Sequence, residues 1–232
     1  MTTLHGFVDS LVLVTLTIAL YAVGVWLYQR LGRIGALQPV LIAIFFVVLG
    51  LKLTGFSYDR YWAGTKALHF LLGPAIVALA VPLYENLQKE RRVMWPVLGT
   101  LLAGGVWVTG SALLLGVIFR LDHLMLISLT TKSVTVPIAL AIAEKIGGVA
   151  PLTVISVFTT GITGIICTPA FLRWARVTDP AVSGFTLGLT SHAFGVVRAL
   201  ELGSEAVAFA SLGMVLMGCA SAVIVPAIFR LL

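Results

Sequence analysis

The sequence predicts an all-helical, polytopic membrane protein, and three observations carry that prediction. Of 232 residues, 59% are hydrophobic and 10% charged, where a soluble domain carries roughly 25% charged residues. The mean hydropathy is +1.09. The apolar residues fall into runs mostly of the length, about 17 to 25 residues, that a helix needs to cross a bilayer, and the polar connections between them are too short to hold a soluble domain.

The runs are 7–28, 36–55, 65–84, 95–119, 123–144, 150–172, 182–200 and 205–229, about eight hydrophobic segments in one transmembrane domain, 1–232. The first begins in MTTLHGFVDS, which has no Lys or Arg and carries Asp9, and no small-residue cleavage signal precedes YQRLGRIG. It is therefore expected to stay as a span rather than to be removed as a signal. The second and fourth are plain apolar runs, and Trp26, Tyr28, Trp62, Trp95 and Trp174 near run ends read as an interfacial belt.

The net charge of +6 lies in the connections, which fits anionic headgroups and gives no basic face for nucleic acid. Strict alternation through eight crossings puts seven basic residues on one side and six on the other. No orientation follows, so either the protein tolerates a weak charge bias or some runs are not single full crossings. Cys167 and Cys219 stand alone in apolar runs, without metal-ligand spacing, and read as small core residues.

Three runs differ from the rest. The third holds Gly73, Pro74 and Pro82; the fifth, TTKSVTVPIALAIAEK, holds Pro137; the seventh, TLGLTSHAFGVVRALELG, holds Gly188 and Gly195. Proline opens the helical hydrogen-bond ladder and glycine lets the backbone leave it, so Pro74, Pro137 and Gly195 are the expected helix breaks. A weak repeat joins these segments: TVPIALAIA resembles LGPAIVALA, CTPAFLR resembles IVPAIFR, and LTTKS at Leu129 resembles LTSHA at Leu189. All three offsets are close to sixty residues, as expected of a chain built from one broken helix followed by one long one.

Two of the broken segments carry ionisable groups. Lys132 lies among Thr130, Thr131, Ser133 and Thr135; His192 follows Thr190 and Ser191, with Arg198 six residues on. A charge in hydrocarbon costs several kcal/mol unless something binds it or water reaches it. Hydroxyls, freed N–H groups and fixed cations suit a small organic anion such as a carboxylate. The candidate substrate-binding residues are Lys132, Ser133, Thr135, Ser191, His192 and Arg198. His192 titrates in the physiological range, and it and Glu201 are the candidates for proton coupling. The alternative is that Lys132 snorkels to a headgroup and that Arg198 pairs with Glu201 or Glu205. The sequence has no G-x-S-x-G, H-E-x-x-H, C-x-x-C or Walker loop, so no enzyme, cofactor or metal site is expected.

The blocks SYDRYWAGTKALHFLLGPAIVALAVPLYENL, TKSVTVPIALAIAEKIGG and GLTSHAFGVVRALELGSEAVAFASL resemble those of the LrgB/CidB family of antiholin-like bacterial membrane proteins, which includes the membrane part of the plastid glycolate and glycerate translocator. The resemblance runs from about Gln38 to Ile228, with Thr131 where the family most often has proline before the lysine. Lys132, Ser133, Thr135 and Pro137 match the family's first block, and Ser191, His192, Gly195, Arg198 and Glu201 its second. The resemblance implies a place in the bacterial cytoplasmic membrane and two functions: carriage of small monocarboxylates with protons, or control of murein hydrolase export and lysis with a small LrgA/CidA-type membrane partner. Glycines at 161, 164, 213 and 218 permit close helix contact, and a homodimer is expected.

Overall fold

The computed structural model describes residues 2–32, 37–68, 70–71, 74 and 94–231. All regular structure in them is helical, in two compact units, 1–78 and 79–232. Among the described residues, four helices are long and apolar enough to cross a membrane: Asp9–Arg30, Trp95–Ile118, Ala150–Trp174 and Ser204–Arg230. The chain is thus an all-helical, polytopic membrane protein. The expected segment 65–84 falls largely outside the described residues; Pro74 itself is helical and exposed.

The first unit contains α1 (Thr2–Arg30), α2 (Pro39–Thr54) and α3 (Tyr58–Gly64). Gly24 of α1 lies so close to Pro39 that a Cβ there would sit 2.7 Å from the proline carbonyl oxygen. Helix α2 ends at Gly55 in the left-handed region, φ 65°, where glycine carries no Cβ penalty. Ser57 then caps α3, its hydroxyl accepting from the Arg60 N–H at 3.4 Å, and Tyr61 returns to α1 through a 2.9 Å hydroxyl contact with Thr17.

The second unit contains α4 (Met94–Ile118), α5 (His123–Thr130), α6 (Val136–Ile146), α7 (Ala150–Trp174), α8 (Pro180–Ala199) and α9 (Ser204–Leu231). Helices α5 and α6 have 8 and 11 residues, about 12 and 17 Å at 1.5 Å per residue, and neither alone crosses hydrocarbon about 30 Å thick. They also do not run on in one direction. The N–H of Val149, just past α6, donates to the Ser128 hydroxyl in α5 at 2.9 Å, and His123 and Lys145 line one cavity. The pair is a re-entrant hairpin with its ends together and its turn, Thr131–Thr135, at the far end.

Helix α8 reverses more sharply. His192 has φ 44° and ψ −126°, outside helical geometry. Three residues later Gly195 touches the carbonyl of Leu187; eight residues apart on a straight helix they would be about 12 Å apart. Residues 180–191 and 193–199 are therefore two arms, α8a and α8b, of a second hairpin. Its first arm lies against α9 in parallel, Gly184 on Ala206 and Gly188 on Ala210, with no space for a Cβ at either glycine.

The two hairpins enter from opposite faces. The C-terminal ends of α4 and α9 meet beside His123 and Lys145, so the first hairpin has its base on that face. Helix α7 starts there and, at 25 residues, is long enough to reach the other face, where Pro180 begins the second hairpin and Ser204 begins the return crossing. Residues 123–174 and 180–231, of equal length, each form a hairpin followed by a crossing, with opposite orientation. Two of the three sequence matches fall in this repeat, LTTKS and LTSHA at the two turns and CTPAFLR and IVPAIFR near the ends of α7 and α9; LGPAIVALA lies largely outside the described residues.

The structure changes several readings. Segments 123–144 and 182–200 are not crossings, which is why alternation could not sort the charges: Arg120 and Lys145 belong to the same face. The break in α8 falls at His192, and Gly195 instead provides the close approach between the arms. Pro137 starts α6, where a missing N–H costs nothing. Cys167 and Cys219 are exposed on helix surfaces rather than packed in the core. Gly161 packs on His192 and Phe194, Gly164 on Ser191, Gly213 on Phe185 and Gly218 on Ile138.

Candidate functional site

At the first turn, the α5 C-terminus is closed by its own threonines. Thr130 Oγ1 donates to the Ile127 carbonyl at 2.7 Å and Thr131 Oγ1 to that of Ser128 at 3.1 Å, satisfying carbonyls that a helix end leaves open. Lys132 follows, partly buried. Among the described residues its ammonium has no hydrogen-bond or ion-pair partner. Ser133 is buried, and among the described residues neither its hydroxyl nor that of Thr135 has a hydrogen-bond partner, Thr135 being the N-cap of α6 without a side-chain capping bond. The turn therefore presents one cation, two hydroxyls and the positive end of a helix dipole.

At the second turn, His192 is 2% exposed and Ser191 fully buried. The His192 Nε2 lies 3.2 Å from the Val157 carbonyl, and the ring stands edge-on to Phe194, centroids 5.8 Å apart. Ser191 Oγ is 3.2 Å from Thr190 Oγ1, which is 3.1 Å from Thr168 Oγ1. Helix α8b begins here, so a second helix N-terminus points into the interior.

Helix α7 runs past both turns. Val157, whose carbonyl faces His192, packs in the same apolar cluster as Val134 of the first turn and Leu189 just before the second. Along the same face of α7, Ser156 donates to the Ser128 carbonyl at 3.3 Å. Thr153 is fully buried with its hydroxyl unpartnered. Thr153 and Ser156 were not singled out in the sequence. Their signal was a spacing of three on one helical face, common in any membrane helix.

The remaining candidates lie elsewhere. Arg198 is six residues beyond His192, about 9 Å along α8b, and pairs with Glu201 at 2.7 Å. Arg198 and Glu201 thus sit together at the base of the second hairpin, while Lys132, Ser133, Thr135, Ser191 and His192 lie at the turns. Among the described residues no three His, Cys, Asp or Glu side chains group together as a metal site would require.

Comparison with known proteins gives the family. The LrgB-like family profile matches residues 17–231. The chain is 39% identical over 207 residues to a Bacillus subtilis (strain 168) protein named "Uncharacterized protein YxaC", covering 89% of this chain and 90% of that one. It is 30% identical to the holin-like protein CidB of Staphylococcus aureus (strain Mu50), over 98% of this chain and 99% of CidB. The antiholin-like protein LrgB of B. subtilis (strain 168) is 27% identical, over 94% and 95% of the two chains. No solved structure matches. With nearly the whole length matched on both sides, the chain belongs to the LrgB-like family, as a multi-pass protein of the bacterial cell membrane.

Proposed function

We propose that the chain carries a small organic anion, of the short monocarboxylate class, across the membrane. The observation that carries the reading is the placement of Lys132 and His192 at matching positions of two hairpin turns that enter from opposite faces. Turns buried at depth are tolerated only where protein or a wet cavity satisfies their backbone. An unpaired lysine there calls for a counter-ion. A carboxylate supplies that charge, and its two oxygens can accept from Lys132, from the Ser133 and Thr135 hydroxyls and from helix N-terminal N–H groups. His192, at the matching position of the other turn, is the second proposed contact of the anion and the proposed carrier of a proton with it. Helices interrupted at the midplane in opposed repeats suit alternating access, because each turn is reached from a different side.

A second reading is favoured by the relatives' names. Proteins called antiholin-like and holin-like support a regulator of murein hydrolase export and lysis, working with a small LrgA/CidA-type membrane partner. For such a regulator the unpaired Lys132 has no assigned task.

Purified protein in sealed liposomes, given labelled glycolate or pyruvate and an imposed proton gradient, separates the two. Uptake above protein-free liposomes is expected. Absence of uptake for every short monocarboxylate would discard the carrier reading in favour of the regulator.

A further inference from the structure

We propose that the face carrying the base of the first hairpin holds a binding site for an anionic phospholipid. A cavity of about 1020 Å³ opens there between α4, α5, the end of α6 and the end of α9. Its wall is apolar, with Leu113, Val117 and Phe229 among the lining side chains, and its three ionisable lining residues are all basic: His123, Lys145 and Arg230. The nearest acids in sequence are turned to other work or absent from the lining. Asp122 caps α5 by accepting from the Leu124 N–H at 3.2 Å, and Glu144 does not line the cavity. Among the described residues neither Lys145 nor Arg230 forms an ion pair.

The residues sit where a lipid headgroup would. Lys145 lies one residue before the end of α6 and Arg230 one before the end of α9, a helix long enough to span, so both cations are at the membrane surface, while Leu113 and Pro226 of the lining lie about a turn deeper along α4 and α9. Apolar depth with a cationic rim matches an amphiphile: a phosphate at the rim, an acyl chain against the wall. A free anion would gain nothing from the apolar wall. A second copy of the chain would bring the same basic residues and no counter-charge from this surface. Its basic residues lie at the base of the first hairpin and not at the turns, so the proposal does not rest on the carrier reading.

The test uses the full chain in detergent, examined by native mass spectrometry after titration with phosphatidylglycerol or with phosphatidylcholine of the same acyl chains. Phosphatidylglycerol is expected to be retained preferentially. Lys145→Gln with Arg230→Gln should lower its retention about tenfold or more, each basic group near an anionic surface contributing on the order of 1 kcal/mol. Val117→Trp, which fills the groove and leaves the charges, should lower retention of the same lipid. Glycerol phosphate should not bind. Equal retention of the two lipids, retention unchanged in both variants, binding of glycerol phosphate alone, or a dimer that releases lipid on forming would each overturn the proposal.

Discussion

Gly195 rests against the carbonyl of Leu187, eight positions earlier in what reads as one helix. That contact turns α8 into a hairpin and places His192 at its tip, buried, with a backbone that only glycine adopts easily. A histidine held at φ 44° and ψ −126° carries strain of about 1 to 3 kcal/mol, which the surrounding packing must hold in place.

The strain gives a paired test. His192→Ala and His192→Gly both lose the ring and its contact with the Val157 carbonyl, but glycine relaxes the backbone. The glycine variant should be the more stable of the two by about 1 kcal/mol or more in detergent melting curves. Both should lose uptake, and loss of pH dependence in whatever uptake remains should exceed that seen for Lys132 variants.

Lys132 should show the opposite pattern to a structural residue. An unpaired cation at depth opposes folding, so Lys132→Met should leave the melting temperature unchanged or raised. The same variant should weaken carboxylate binding about tenfold or more, since a hydrogen bond to a charged partner contributes about 1.5 to 3 kcal/mol. A variant that both melts earlier and still transports would remove Lys132 from the site.

Gly188 and Gly110 separate packing from propensity. A Cβ at Gly188 would collide with the Ala210 backbone, whereas nothing lies within 4 Å of one at Gly110. Gly188→Ala should destabilise by about 1 to 3 kcal/mol as the parallel α8a–α9 contact is forced apart. Gly110→Ala should be neutral or slightly stabilising, by up to about 1 kcal/mol. Thermal melting of the two variants side by side reads the difference.

The helical content, the two interruptions and the residues at their turns were all legible from proline, glycine and charge placement. The reversals were not. Two arms of 8 and 11 residues joined by a turn give the same hydropathy profile as one crossing, because a window sums composition and is blind to direction. What decides between them is a contact across the turn, Val149 on Ser128 or Gly195 on Leu187, and no local pattern announces it. For Arg198 the sequence offered two readings, an anion contact and a pair with Glu201 or Glu205; the spacing of three to Glu201 is a local signal, and the ion pair forms there.

That pair should behave as a clasp at the hairpin base. Arg198→Ala should lower stability modestly, by about 1 kcal/mol or less for a partly exposed pair, and should weaken anion binding less than Lys132→Met does. The exchange Arg198→Glu with Glu201→Arg should recover part of the stability. If instead Arg198→Ala abolishes binding with an unchanged melting curve, the arginine leaves Glu201 to reach the substrate and the resting pair is only its storage position.

The opposed hairpins predict a labelling pattern that eight alternating crossings cannot produce. In a background with Cys167→Ser and Cys219→Ser, single cysteines replacing Asp122 and Glu144 flank the first hairpin, and cysteines replacing Asp179 and Glu205 flank the second; all four native residues are exposed. The hairpin topology places Asp122 and Glu144 on one face and Asp179 and Glu205 on the other. Eight successive crossings would separate Asp122 from Glu144 and Asp179 from Glu205. A membrane-impermeant thiol reagent applied to oriented vesicles should therefore label the sites in two matched pairs, with inversion of the vesicles exchanging the pairs. Labelling of Asp122 and Glu144 sites from opposite sides would mean that α5 and α6 form a crossing, and the two turns would then lose the opposed approach on which alternating access depends.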